Sequence, residues 1–120
     1  MTALIVEDNE LQSKVLFELL KENDIISIIA DDGKKALELL EIHQFDVIIS
    51  DVYMPIVDGL SLLYIVKRDE KFKNIPFIMY SSKPIESDME LAYRLKVDKF
   101  VEEAGVRGVL PAVLNILKKS

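Results

Sequence analysis

Three carboxylates that follow two apolar segments carry the clearest chemical signal in this sequence. Asp51 directly follows one apolar run and opens the segment Asp51–Gly59, which reads Asp-Val-Tyr-Met-Pro-Ile-Val-Asp-Gly. Glu7 and Asp8 follow a second apolar run near the amino terminus. Carboxylate oxygens are the ligands that hard divalent cations prefer, and a bound cation would offset the repulsion among clustered acids. The three acids therefore predict a site that holds Mg²⁺ or Mn²⁺ against a phosphoryl group.

The elements that must position these acids are short apolar runs that alternate with helical patterns. The runs are Ala3–Val6, Ile25–Ala30, Asp46–Ser50, Pro76–Tyr80 and Lys99–Glu102. Most are β-branched and apolar at consecutive residues, which is typical of strands buried on both faces of a parallel sheet. Five strand-then-helix units predict an α/β fold with a doubly wound, five-stranded parallel sheet and helices on both faces.

Apolar residues at helical spacing predict five helices between and after the strands. In chain order, the helices contain Leu11, Val15, Leu16, Leu19 and Leu20; Ala36, Leu37, Leu39 and Leu40; Leu60, Leu63, Ile65 and Val66; Met89, Leu91, Ala92 and Leu95; Val109, Leu110, Val113, Leu114 and Leu117. Asp8 or Asn9 is placed to cap the first helix, and Asp32 precedes the second. The last helix should begin near Gly108, because Pro111 is tolerated only in a first turn.

Length and composition exclude several classes of protein. A chain of 120 residues, half of them hydrophobic, fits a single domain over 1–120 with a real core. The net charge of −6 argues against a nucleic-acid partner, and zero cysteines exclude disulfides, thiolate zinc sites and cysteine nucleophiles. We find no secretory signal and no apolar run near the ~20 residues that cross a bilayer. We therefore expect a cytoplasmic protein with no membrane partner.

Polar residues collect where the predicted strands end. In an open doubly wound sheet, ligands bind beyond the carboxyl ends of the strands. The residues at those ends are Glu7-Asp8, Asp51, Ser81-Ser82 and Glu102-Glu103. Acids are common at strand ends simply because loops are solvated. Three acids on two strand ends, with hydroxyls on a third, nevertheless favour a built site over that explanation.

Two motifs give the chain a resemblance to a known family. The pattern Asp-x-x-Met-Pro-x-x-Asp-Gly at 51–59 and the Glu-Asp-Asn sequence at 7–9 resemble those of receiver domains from two-component response regulators. The resemblance extends from about Ala3 to the last helix. It implies the flavodoxin-like strand order 2-1-3-4-5. It also implies a phosphoprotein of signal transduction, in which Asp51 accepts a phosphoryl group from a sensor histidine kinase or a phosphotransfer protein of a phosphorelay.

The resemblance also implies roles for the residues around Asp51. Asp8 would bind magnesium directly, Glu7 would act through water, and the Tyr53 carbonyl would supply a further ligand. The metal would bridge Asp51 and the incoming phosphoryl group, which aligns the attack. At the end of the motif, Gly59 is expected to relax the backbone where the loop enters the third helix.

Two further positions match the switch residues of the family. Ser81 would hydrogen-bond a phosphoryl oxygen; the plainer alternative is that it caps the turn before Pro84. Phe100 matches an aromatic residue that rotates inward after that shift, or is simply packed at a sheet edge. Phosphorylation would then reshape the face of the fourth helix, fifth strand and last helix, which the family uses for downstream partners. Whether it also favours a dimer stays open.

The chain departs from the family pattern at the end of the fifth strand. The family has a lysine there, usually followed by proline, and this chain has Glu103-Ala104. At ~4 Å and an effective dielectric constant near 20, a pair of unit charges is worth roughly 4 kcal/mol, so the reversed sign is a serious loss. The flexible side chain of Lys83 could substitute for the missing cation, or it is an ordinary surface lysine. Lys99 is read as a surface residue.

Two competing functions follow from these residues. The first is a pseudo-receiver, a protein-interaction module with little or no phosphorylation, which Glu103 favours. The second is a magnesium phosphatase, which is weak because such enzymes place an acid two residues after the nucleophile, where Tyr53 stands. His43 is the only histidine and lacks a partner for phosphoryl donation. We therefore expect a signalling domain rather than an enzyme, either free-standing or part of a longer regulator.

Overall fold

The computed structural model describes residues 1–118 as five strands and five helices in strict alternation; Lys119 and Ser120, which complete the expected domain, lie outside the described residues. The strands are β1 (Thr2–Val6), β2 (Ile26–Ala30), β3 (Val47–Asp51), β4 (Phe77–Tyr80) and β5 (Lys99–Phe100). The helices are α1 (Glu10–Lys21), α2 (Gly33–Ile42), α3 (Gly59–Lys67), α4 (Glu86–Arg94) and α5 (Val109–Lys118). Within residues 1–118, no helix has the length and hydrophobicity needed to cross a bilayer.

The sheet confirms the predicted fold class and strand order. All neighbouring strands are parallel, in the order β2-β1-β3-β4-β5. On one face, α2, α3 and α4 cover a core that contains Leu39, Leu62 and Ala92. On the other face, α1 and α5 cover a core that contains Leu16 and Val113. The sheet is therefore buried on both sides, as its consecutive apolar residues predict.

Two elements differ from their predictions. In α1, the buried positions are Ser13, Leu16 and Leu20, whereas Leu11 and Val15 are 72% and 40% exposed. The apolar residues of this helix are spread over more than the one face that the sheet can cover. Strand β5 ends at Phe100 rather than at Glu102.

The caps of the helices follow the predicted chemistry. The side chain of Asn9 caps α1 by accepting a hydrogen bond of 2.9 Å from the Gln12 amide. Asp32 caps α2 in the same way. Helix α5 begins at Val109, which places Pro111 in its first turn as expected.

The loop from β3 to α3 holds the start of α3 tightly against the end of β3. An ideal Cβ built on Gly59 would lie 2.1 Å from the carbonyl oxygen of Asp51, so no side chain fits there. The Gly59 amide donates a hydrogen bond of 2.8 Å to the Val52 carbonyl. The expectation that Gly59 relaxes the backbone is wrong: positive φ is found at Ile56 (69°), and Gly59 is not among the residues with positive φ. Gly59 serves close approach, not torsional freedom.

Ile56 stores strain in this loop. It is 76% exposed, and its neighbours close a three-residue turn in which the Val57 amide donates a hydrogen bond of 2.8 Å to the Pro55 carbonyl. A β-branched residue with φ of 69° is an outlier, because its Cβ crowds the backbone in the left-handed region.

We expect Ile56→Gly to stabilise the protein by about 1 kcal/mol, since glycine adopts positive φ without this steric cost. Urea unfolding, compared with the parent chain, measures the gain. Ile56→Ala is the matched control, because it removes most of the side chain and keeps the crowded Cβ. An equal gain in both variants would contradict the explanation by backbone strain.

Candidate functional site

The strand order brings the three acids together. Strands β1 and β3 are neighbours, with Val6 paired to Ser50, so the residues that follow Val6 lie beside Asp51. One carboxylate oxygen from each of Glu7, Asp8 and Asp51 lies within 4.8 Å of the other two. We call these three residues the acidic notch. Among residues 1–118, no other group of three histidine, cysteine or acidic side chains meets at this distance.

Glu7 is held from two sides. It is only 2% exposed, the Tyr80 hydroxyl donates to its Oε1 at 2.5 Å, and the Asn9 amide donates to its Oε2 at 3.0 Å. Burial nevertheless raises the pKa of Glu7 above its ordinary value. Burial, followed by the charge of Glu7, also raises the pKa of the Tyr80 phenol, which therefore remains a hydrogen-bond donor. The two donors fix the orientation of the Glu7 carboxylate before any ligand arrives.

Tyr80 is a site residue that sequence reasoning missed. Its ring is fully buried at the end of β4, and its hydroxyl reaches across to the residue that follows β1. A signal was present in the sequence, because a tyrosine within an otherwise apolar buried strand must find a hydrogen-bond partner for its hydroxyl. Which partner it finds depends on the strand order.

Asp51 is half-buried and has an unsatisfied oxygen. Its Oδ1 is buried, with no hydrogen-bond partner among the described residues. Burial, followed by the charge of Glu7, raises the pKa of Asp51 to about 7. Removing a carboxylate from water beside two other acids costs free energy, which a proton or a cation would offset. Because the donors here are all oxygens, the notch fits Mg²⁺ or Mn²⁺.

Ser81 lies at the end of β4, and its hydroxyl oxygen accepts a local hydrogen bond. The side chain is fully buried, and its Oγ accepts a hydrogen bond of 3.1 Å from the Lys83 amide. This is the turn-capping contact that the plainer alternative predicts. The Ser81 carbonyl accepts a second hydrogen bond of 2.8 Å from the Gly105 amide, which ties β4 to the loop after β5.

Lys83, the possible substitute cation, and Glu103, which stands where the family has a lysine, both lie outside the notch. The side chain of Lys83 is exposed and forms no ion pair within residues 1–118. Glu103 is also exposed, and an ideal Cβ built on Gly108 would lie 3.6 Å from its Cδ. The Glu103 carboxyl group therefore lies toward the start of α5, and it is not part of the acidic notch.

Two tyrosine hydroxyls connect α4 to the rest of the site. The Tyr53 hydroxyl donates to the Asp88 carboxylate in the first turn of α4. Near the other end of α4, the Tyr93 hydroxyl accepts a hydrogen bond of 3.1 Å from the Phe100 amide. The Phe100 ring itself is fully buried. Phe100 has no hydroxyl, so its side chain cannot form hydrogen bonds of this kind. Neither tyrosine contact was predicted from the sequence.

Tyr53 and His43 are the remaining candidate residues. Tyr53 lies two residues after Asp51, and its carbonyl remains a predicted metal ligand. His43 is exposed at the end of α2, where its ring contacts Phe45 edge-to-face with centroids 6.1 Å apart. It lies among surface residues, as expected.

The raised pKa of Asp51 predicts how stability depends on pH without metal. Its folded pKa of about 7 exceeds the ordinary 3.8, so the free energy of unfolding should fall as pH rises between those values. In EDTA, Asp51→Asn should therefore stabilise the protein by about 1–3 kcal/mol near pH 8, and by clearly less near pH 4.5. Urea unfolding at both pH values measures this difference.

Excess Mg²⁺ provides the control for that experiment. It should stabilise the parent chain near neutral pH and leave Asp51→Asn nearly unchanged, because the variant lacks one of the three carboxylates. An equal effect of Asp51→Asn at both pH values would contradict the burial of an unpaired charge.

Comparison with known proteins agrees with this geometry. The family model "Response regulator receiver domain" matches residues 3–110. The polar-differentiation response regulator DivK of Brucella ovis is 34% identical over 89 residues, which cover 74% of this chain and 72% of DivK. The "Probable transcriptional regulator ycf29" of Porphyra purpurea is 34% identical over 92 residues, or 77% of this chain. The match spans only 44% of that relative's length.

A solved structure agrees with both the fold and the family. The Mn²⁺-bound form of the response regulator Rcp1 superposes with a TM-score of 0.81 at 26% identity, covering 96% of this chain and 90% of Rcp1. The family model covers most of the chain, and the fold, strand order and acidic notch are consistent with it. The chain therefore belongs to the response regulator receiver domains, which are signalling domains of two-component systems rather than classical enzymes.

Proposed function

We propose that this chain is a phosphorylated receiver domain, over residues 1–120, that accepts a phosphoryl group on Asp51 in a Mg²⁺-dependent reaction. Mn²⁺ would serve in the same place. The observation that carries the proposal is the buried, unpartnered Oδ1 of Asp51 beside the carboxylates of Glu7 and Asp8. The phosphodonor would be a sensor histidine kinase or a phosphotransfer protein, and the chain would act in the cytoplasm.

The reaction is an in-line displacement at phosphorus. A carboxylate oxygen of Asp51 attacks the phosphorus of phosphohistidine, the P–N bond breaks, and its electron pair returns to the imidazole. Glu7, Asp8, Asp51 and the Tyr53 carbonyl would hold the divalent cation. When bound, the cation supplies positive charge that offsets the repulsion between Asp51 and the phosphoryl oxygens. Fixing the acids before the donor arrives reduces the entropic cost of alignment.

The effect of phosphorylation would be transmitted first through Ser81. Its Oγ can donate its hydrogen to a phosphoryl oxygen while it still accepts the hydrogen bond from the Lys83 amide. Helix α4 is joined to the Asp51 loop through Tyr53, and to β5 through Tyr93. A change in the loop would therefore alter the face of α4, β5 and α5, where we place the downstream partner. The same change in this face would also favour a phosphorylation-dependent dimer.

A pseudo-receiver is the alternative function. One observation favours it: Glu103 stands where the family has a cation. In that case the chain binds partners through the same fold without forming an acyl phosphate.

Incubation with Mg²⁺ and acetyl phosphate separates the two functions. We expect intact-protein mass spectrometry to show a gain of one labile phosphoryl group, because a cation held in the notch would offset the repulsion between Asp51 and the phosphoryl oxygens. Mass is the suitable readout because the chain has no tryptophan. Asp51→Asn should abolish the gain. Asp31→Asn, an exposed acid that follows β2 at the same sheet edge, is the matched control and should retain it.

Either of two results would contradict phosphorylation of Asp51. One is no gain in the parent chain with Mg²⁺, which would leave the pseudo-receiver. The other is a gain that persists in Asp51→Asn or in EDTA.

Lys83 is proposed as the substitute cation. Lys83→Ala should weaken binding of beryllium trifluoride, a phosphoryl mimic, by about tenfold, since a charge-assisted hydrogen bond would be lost. NMR titration in Mg²⁺ measures this. Lys99→Ala is the control, and Glu103→Lys in the Lys83→Ala background should restore binding. Unchanged binding in Lys83→Ala would remove Lys83 from the site.

A further inference from the structure

An apolar groove runs between α3 and α4, away from the acidic notch. Its volume is about 470 Å³, and its apolar lining residues are Leu60, Tyr64, Ile65, Leu91 and Leu95. Tyr64, Ile65 and Leu91 are 48%, 39% and 41% exposed. Single exposed apolar residues are normal, but a groove lined by several from two adjoining helices marks a candidate binding surface.

The groove continues into a basic cleft of about 630 Å³, which shares Tyr64 and Leu95 with it. The cations that line this cleft are Lys67, Arg68, Lys73, Arg94 and Lys96, and its only acid is Asp98. Five positive charges and one negative charge give the cleft +4, although the whole chain carries −6. The cleft is therefore a strong local reversal of the overall charge.

Part of this charge is already neutralised. Lys67 pairs with Asp98 at 2.8 Å, and Lys73 pairs with Glu70 at 2.9 Å. The other three cations have no carboxylate partner within residues 1–118; they are Arg68, Arg94 and Lys96. The carboxyl ends of α3 and α4 lie here, but two helix ends supply only about one negative charge in total. Positive charge remains for a ligand.

Arg68 also shows how the two parts of the surface meet. Its guanidinium carbon lies 5.1 Å from the centroid of the Tyr64 ring. Tyr64 therefore lines both parts of the surface. Its ring contributes apolar surface to the groove, and Arg68 covers the ring at the cleft. A ligand that fills both parts must present apolar groups to the groove and anionic groups to the cleft.

We propose that this combined surface, the α3–α4 groove with its basic cleft, binds an acidic amphipathic segment of another protein. Its apolar side chains would fill the groove, and its Asp or Glu side chains would meet Arg68, Arg94 and Lys96. Helix α3 has nine residues and spans about 13 Å, which matches two to three turns of a partner helix. An inorganic anion would use only the cleft. The proposal does not rest on phosphorylation of Asp51.

The test is an NMR titration of the ¹⁵N-labelled full chain with a synthetic amphipathic peptide. The peptide has leucines at helical spacing on one face and glutamates elsewhere; the control peptide has lysines in place of the glutamates. We expect the acidic peptide to shift the amides of Tyr64, Leu91 and Lys96, and to bind at least about tenfold more tightly than the basic one. Binding should weaken as salt rises.

Variants separate this surface from general electrostatics. The double variant Arg68→Glu and Arg94→Glu should weaken binding of the acidic peptide by about tenfold or more. The matched control is Lys34→Glu with Lys35→Glu, which reverses two exposed cations at the start of α2 and should bind as the parent does. Circular dichroism checks that each variant is folded. Asp51→Asn should bind unchanged, so failure of phosphorylation and failure of this proposal give different results.

Three results would overturn the proposal. The first is equal binding of the acidic and basic peptides, or shifts that lie outside both the groove and the basic cleft. The second is binding of phosphatidylglycerol vesicles, but not of the peptide, through the same residues, which would assign the surface to a membrane. The third is sedimentation showing that the free chain self-associates through Arg68 and Arg94, which would assign it to a second copy.

Discussion

The repulsion among three carboxylates at one edge of the sheet is the constraint around which this receiver domain is arranged. Parallel pairing of β1 with β3 brings Glu7 and Asp8 against Asp51, and the burial of Glu7 and partial burial of Asp51 limit the screening of their charges by water, whereas Asp8 is exposed. The fold holds this arrangement by fixing Glu7 with two donors while leaving an oxygen of Asp51 unpartnered. The strain is electrostatic and local, and a bound cation would relieve it.

Hydroxyl groups hold the surroundings of this notch. Tyr80 crosses from β4 to Glu7, Tyr53 reaches the first turn of α4, and Tyr93 reaches β5. Glu103, which replaces the family's lysine, disturbs the notch little, because its carboxyl group lies toward α5. The sign reversal therefore removes an attraction to a phosphoryl group without adding a fourth acid to the notch.

The outer surfaces of α3 and α4 show why a negatively charged domain can still attract an acidic partner. Charge acts over about a Debye length, so the cleft around Arg94 governs local encounters more than the net charge does. Sequence periodicity treats Ile65 and Leu91 as core residues, yet both are partly exposed at the groove. A helix nine residues long has too few turns for periodicity alone to define which apolar residues face the sheet.

The alternation of strands and helices, the acids at the strand ends, a cap at Asp8 or Asn9 and a second cap at Asp32 could all be predicted from the sequence. These features depend on local propensity, apolar spacing and hydrogen bonds between near neighbours. Three outcomes are visible only in the folded protein: Tyr80 pairs with Glu7, Gly59 is needed for space while Ile56 carries the strained torsion, and Glu103 turns outward. Those outcomes depend on contacts between residues distant in the chain, or on how tightly one backbone segment approaches another, and no local pattern encodes either.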